Sequence, residues 1–162
     1  MLDLGCGIMQ ATTGIYDGKK SLKCKTILGV ELVEKYLDKV KISYPTIKTD
    51  VLNTKIFHDE SYDVVLCLDV LEHLKKDDMI FLLSEMKRIT RKKVIVYTPK
   101  EFDSNGDNIH DAWGLGENKL QQHQCLVTEN TLHDRGYSVK ITDIDNNILG
   151  IYNKLKDYQL LE

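Results

Sequence analysis

The sequence predicts an α/β domain on an open, mostly parallel seven-stranded sheet, with helices on both faces and a C-terminal antiparallel hairpin. Three observations point there. Short apolar runs alternate with segments of helical period, several runs end at an acidic residue or a glycine turn, and the last two runs follow each other around a short polar turn. At 162 residues, 42% hydrophobic and 29% charged, the chain has the size and composition of one domain over 1–162 with a sizeable core.

The elements follow in order. Residues 1–4 form a short apolar strand that runs into Gly5, Cys6 and Gly7, and a helix is expected over 10–16 before Asp17 and Gly18 break it. Residues 26–30 give a second strand ending at Glu31, after which Val33, Tyr36, Leu37 and Val40 recur at helical spacing. Pro45 punctuates, and 46–49 read as a third strand ending at Asp50. Residues 62–68 (YDVVLCL) are nearly continuously apolar and rich in β-branched side chains, as in a central strand covered on both faces. Met79, Ile80, Leu82, Leu83, Met86 and Ile89 continue a helical pattern, with Arg88, Arg91, Lys92 and Lys93 read as its solvated, cation-rich end. Residues 94–97 form another strand, stopped by Pro99.

Residues 100–122 show no sustained period and hold Asn105, Gly106, Asp107, Gly114 and Gly116, which marks a long loop of the kind that often covers a site. Thr128 is placed to cap a helix over 129–135, with Gly136 as its stop. Residues 137–144 and 148–155 then form two strands around Asp145, Asn146 and Asn147.

Charge and composition exclude several classes. Twenty-two basic against 25 acidic residues leave a net charge of -3, which argues against nucleic acid as a partner. No apolar run approaches the ~18 residues of a membrane span, and no basic segment followed by a long apolar one begins the chain, so a cytoplasmic location and no membrane partner are expected. Cys6, Cys24, Cys67 and Cys125 form no C-x-x-C pair and read as reduced, mostly buried thiols.

The chemistry gathers at strand ends, where an open α/β sheet binds ligands. Gly5 and Gly7 allow a sharp turn and close backbone approach just after Asp3. Glu31, 24 residues beyond Gly7, is placed to accept hydrogen bonds from ribose hydroxyls, or else is a solvated carboxylate. Asp50 could meet an adenine amino group or bond to its own turn, and Asp69 closes the fourth strand. Among the histidines, His73 beside Glu72 reads as the start of a helix or as part of a divalent-ion site lacking further ligands. His123 closes the long loop where an acceptor would enter, and His58, His110 and His133 read as surface residues.

Taken together, LDLGCG at 2–7, GVEL at 29–32, TDV at 49–51, YDVVLCLDVLEHL at 62–74, the Pro99 turn, and His123 followed by TENTLHDRGYSV at 128–139 carry a resemblance. The chain resembles the class I methyltransferases that use S-adenosylmethionine, in particular their large small-molecule group. The resemblance implies a Rossmann-like fold and S-adenosylmethionine as cofactor. It places Asp3, Gly5, Cys6 and Gly7 at the methionine end of the cofactor, Glu31 and Leu32 at the ribose, Asp50 and Val51 beside adenine, and Leu68 and Asp69 at the methionine portion and substrate cleft. Methyl transfer to a small-molecule acceptor follows as the expected activity, with His123 and His73 as candidate bases and no metal assigned.

Two departures qualify the match. Met9 stands where the family usually has a third glycine, so a side chain there is expected to shift the cofactor or narrow its pocket. The first strand also starts at residue 1, without the helices that usually precede it, so either the pocket is open or cover is expected from the 100–122 loop or a partner subunit, and a homo-oligomer is a further candidate partner. These departures motivate an alternative: an inactive S-adenosylmethionine-binding module within a larger assembly. Trp113, the single tryptophan, is a candidate for lining an acceptor pocket.

Overall fold

The computed structural model describes residues 1–9, 24–40, 44–102, 114–116 and 118–154. The helix expected over 10–16, together with Asp107, His110, Trp113 and the end of the last strand at Leu155, lies outside them.

The apolar run Tyr62–Leu68 is strand β4, and it sits where its composition demands, with a strand on each side. It pairs in parallel with β1 (Leu2–Leu4) through Leu2↔Val65 and with β5 (Thr90–Thr98) through Val65↔Val94. Outside β1 lie β2 (Leu28–Glu31) and β3 (Thr46–Lys48), both parallel to it. On the other flank β7 (Ile148–Asn153) runs antiparallel to β5, and β6 (Ser138–Ile141) pairs antiparallel with β7 at the edge. The seven-stranded order is therefore β3-β2-β1-β4-β5-β7-β6, a Rossmann-like α/β sheet whose direction of winding reverses between β1 and β4.

Three helices are described: α1 (Glu34–Leu37), α2 (Lys76–Ile89) and α3 (Glu129–His133). In α2 the buried positions Met79, Leu82, Leu83 and Met86 fall at i, i+3, i+4 and i+7, one stripe against Leu2, Leu4, Val65, Cys67, Val94 and Val96 of the sheet. Asp77 and Asp78 in its first turn and Lys87 and Arg88 in its last complement the helix dipole. Thr128 caps α3 by accepting the Thr131 N–H at 3.1 Å, and Gly136 follows at φ 79°, as the sequence predicts.

One expectation is corrected. Arg91, Lys92 and Lys93 do not form a solvated helix end: α2 stops at Ile89 and β5 starts at Thr90. Arg91 and Lys92 pair with Asp63 of the neighbouring strand at 3.2 and 3.3 Å, so cross-strand charge pairing holds this polar stretch extended. Arg88 instead turns to the loop after β3, donating to Glu85, Asp59 and the carbonyls of Thr54 and Phe57.

Hydrogen bonding to Arg88 holds the Glu85 carboxyl below its usual pKa. Its stabilising effect is therefore full above the unfolded carboxylate value, ~4.3, and is lost as pH falls through the lower folded value. Urea unfolding of Arg88→Met should show a loss of about 1 kcal/mol at neutral pH that becomes smaller as pH falls through the Glu85 titration, leaving the part due to the Thr54 and Phe57 carbonyls. A loss that does not vary with pH would contradict the assignment.

Candidate active site

The glycine turn after β1 is held by one carboxylate. Glu31 at the end of β2 accepts the Gly7 N–H on Oε2 at 3.0 Å and the Leu32 and Val33 N–H groups on Oε1, each at 2.9 Å. Gly5 and Gly7 take φ values of 72° and 52°, and a Cβ on Gly5 would stand 2.3 Å from Val70 Cγ2, so both the backbone conformation and the packing require glycine at position 5. Gly5 and Cys6 N–H groups both donate to the Val30 carbonyl, at 2.8 and 3.0 Å, which ties the turn to β2 a second time.

Met9 does not narrow the cavity. It adopts φ 58° and is fully buried, with Sδ 3.3 Å from where a Cβ on Gly29 would lie. The side chain packs inward between the turn and β2, and it is not among the residues lining the cavity above. The third glycine is replaced by a core residue at the expense of a left-handed backbone.

That cavity, of about 530 Å³, opens over the carboxyl ends of β1 to β4, beside the point where the winding reverses. Asp3, Gly5, Cys6, Glu31, Leu32, Asp50, Val51, Leu68 and Asp69 all line it. Gly7 reaches it indirectly, through its bond to Glu31. Asp50 serves two ends: Oδ1 accepts the Leu52 N–H at 2.8 Å, closing a turn, while the residue remains exposed to the cavity. Asp69 sits at φ 51°, its N–H bonded to the Tyr97 carbonyl at 2.9 Å, and burial and the nearby Asp145 carboxylate raise its pKa.

Sequence reasoning missed the cavity's other wall. Lys35 of α1 donates to the Leu115 and Gly116 carbonyls at 2.7 and 3.0 Å, and Asn118 Nδ2 donates to Tyr36 Oη at 3.1 Å. These bonds bring Asn118, Leu120 and Gln121 over the cavity, so part of the expected cover comes from the 100–122 loop. Their signal in the sequence is slight, because each contact spans about 80 residues.

The histidines separate. His58 and His133 are exposed, while His73 lines the cavity and His123 packs behind it, with ring centroids 5.0 Å apart. Glu72 and His73 lie in a short 3₁₀ helix, Leu71–His73, and not at the start of α2, which begins after Lys75. Glu72 is buried, accepting Thr98 Oγ1–H on Oε2 at 2.9 Å. Burial pushes its carboxyl up to about 8, and burial, reinforced by His123, pushes the His73 imidazole down to about 4. Glu72, His73 and His123 each offer one ligand atom, and these atoms lie within 4.8 Å of one another.

The lining is chemically one-sided. Asp3, Glu31, Asp50 and Asp69 face the cavity, and no lysine or arginine does among the described residues. Such a set suits a ligand that carries positive charge and hydroxyl donors. Burial, then Asp3 and Glu31, raises the Cys6 thiol well above its ordinary pKa, and burial does the same to Cys67. A neutral thiol is a poor nucleophile. Thiol-reactive reagent at pH 8 should therefore modify part-exposed Cys24 at least ~10 times faster than Cys6 or Cys67, as read by peptide mass mapping, and fast labelling of Cys6 would contradict this site.

A sequence profile described as "Methyltransferase domain" matches residues 2–98. No curated protein sequence matches the chain. Among solved structures, it is similar to a SAM-dependent methyltransferase from Archaeoglobus fulgidus, with TM-score 0.67 and 16% identity over 94% of this chain and 85% of that one. It is also similar to magnesium protoporphyrin IX methyltransferase from Synechocystis PCC 6803 with bound SAH, with TM-score 0.61 and 17% identity over 95% and 73%. The third is the small RNA methyltransferase HEN1, with TM-score 0.61 and 20% identity over 94% of this chain and 23% of that one. At these identities the likeness to each is one of fold. The profile covers more than half of the chain, and its residues include the glycine turn, Glu31, Asp50 and Asp69. The chain belongs to the methyltransferase domain family and is an S-adenosylmethionine-dependent methyltransferase.

Proposed function

We propose that this chain methylates a small molecule, bound beside the cofactor in the cavity over β1 to β4. The observation that carries this reading is the cavity itself: about 530 Å³, four carboxylates on its walls, and loop residues 118, 120 and 121 over it. Small-ligand sites span roughly 300–1,000 Å³, so the space suits the cofactor with a compact acceptor rather than a polymer. The absence of basic lining among the described residues, with a net charge of -3, disfavours a polyanionic acceptor.

The residues present fit S-adenosylmethionine. Glu31 keeps one Oε2 lone pair after its bond to Gly7, available to a ribose hydroxyl. Asp50 and Val51, which line the cavity, are assigned to adenine, and Asp3, on the same cavity, to the methionine end. When bound, the cofactor supplies a methyl group already activated on a sulfonium. The chain's residues need only align donor and acceptor and exclude water. The acceptor's lone pair forms the new bond to the methyl carbon as the carbon–sulfur bond breaks and its electron pair returns to sulfur.

A hydroxyl or ammonium acceptor must also lose a proton. His73 is the imidazole lining the cavity; held neutral with a pKa of about 4, it can accept a hydrogen bond from the acceptor or give a lone pair to a cation, while the proton passes on to water. The case for an inactive binding module loses one of its motives, because Met9 points into the core.

Titration calorimetry tests the cofactor assignment. Glu31→Gln removes one carboxylate oxygen from three N–H donors and from the ribose position. It should weaken S-adenosylhomocysteine binding at least ~10-fold and lower stability by about 1–3 kcal/mol. Equal affinity in the variant would remove Glu31 from the site. Transfer of labelled methyl groups to a metabolite pool, with none to RNA or protein fractions, is the expected outcome for the acceptor class; labelling of RNA alone would overturn the small-molecule reading.

A further inference from the structure

We propose that Glu72, His73 and His123 bind one divalent transition-metal ion on the wall of the cavity. The three residues come from two segments far apart in sequence, and backbone bonds bring them together. The Glu72 carbonyl accepts the Gln124 and Cys125 N–H groups at 2.7 and 3.2 Å, and Gln124 Nε2 donates to the His73 carbonyl at 2.8 Å. The Cys125 thiol donates to the Leu71 carbonyl at 3.4 Å. Residues 124 and 125 are thus stapled to the 3₁₀ turn at 71–73, which seats His123 against His73.

Each side chain is oriented as a ligand would be. His73 Nδ1 faces the Gln122 carbonyl at 3.4 Å, and the tautomer that donates there would present the Nε2 lone pair to a cation. That lone pair lies 4.0 Å from Glu72 Oε1, whose partner oxygen is pinned by Thr98. Metal-binding histidines and carboxylates are held in this way by groups behind them. No lysine or arginine pairs with Glu72 among the described residues, although its side chain is only 4% exposed. A hydrogen-bonded structural carboxyl would account for Thr98 but not for a nitrogen from each of two imidazoles lying within 4.8 Å of the carboxylate.

Two nitrogens and one carboxylate oxygen favour zinc, cobalt, manganese or iron over magnesium or calcium, which prefer oxygen. Ligands about 2.1 Å from one ion stand roughly 3.4 Å apart in a tetrahedron, so the present spread of up to 4.8 Å must close by about an ångström through side-chain rotation. Three protein ligands leave at least one position open. Because His73 lines the cavity, that position suits an acceptor presenting an oxygen donor, whose hydroxyl proton the ion would acidify and release to water. The ion-binding site stands on these three residues; only the role given to the ion rests on the proposed function.

The test is titration of chelator-treated full chain with Zn²⁺ by calorimetry and with Co²⁺ by visible absorption, with S-adenosylhomocysteine binding measured separately on the same protein. One equivalent of Co²⁺ with ligand-field bands is expected, with affinity at least ~10-fold weaker in His123→Gln and in His73→Gln. His123→Gln is the leading variant, since half-buried His123 lies outside the core and circular dichroism can verify the fold; Glu72→Gln at a buried position could unfold the chain. Absence of stoichiometric binding, or binding unchanged in both histidine variants, overturns the metal site. If S-adenosylhomocysteine still binds in that case, the methyltransferase reading stands; metal bound without S-adenosylhomocysteine bound would keep the ion site and remove its assigned role.

Discussion

Three backbone N–H groups converge on the Glu31 carboxylate, one from the turn after β1 and two from the chain leaving β2. Everything built above the sheet depends on that convergence. A glycine turn in the left-handed region has little to hold it in place, because its residues carry no side chains to pack. A buried carboxylate gives it a fixed anchor through charge-assisted bonds, which are shorter and stronger than neutral ones. Glu31 is therefore a structural keystone before any ligand arrives, and the ribose role proposed for it would use what lone-pair capacity remains. The Asp50 carboxylate follows the same pattern, with one oxygen committed to its own turn and the residue still facing the cavity.

The parallel sheet was legible because burial on both faces leaves a near-continuous apolar run, and 62–68 could hardly be anything else. The strand-end acids were legible for a related reason. They stand at fixed distances from these runs, so the order of Asp3, Glu31, Asp50 and Asp69 along the sequence becomes a ring around one cavity once the strands lie side by side. The start of β5 was not legible. Thr90 to Lys93 is polar, and its extended form depends on Asp63 across the ladder, a partner that no local window contains.

The same limit explains the rest of the site. Met9 looked like an obstruction because sequence gives its position in a turn but not the direction of its side chain; the small Gly29 beside it makes room underneath. Glu72 and His73 were visible as a pair, but the third member, His123, is 50 residues further on and is brought there by bonds to backbone carbonyls that any sequence could offer. The wall at 114–116 and 118–121 is likewise built from a lysine, two carbonyls and an asparagine, residue types with no pattern of their own.

The staple between residues 124–125 and the turn at 71–73 separates two tasks along the chain. Its bonds end on main-chain atoms, so they persist whatever side chains occupy most of the connection between β5 and α3. The histidine just before the staple is therefore seated by main-chain atoms, not by the residues of the wall before it. Natural variation could thus retune which molecules are admitted without disturbing the machinery beneath, a division of labour suited to a lineage that changes its substrates faster than its chemistry.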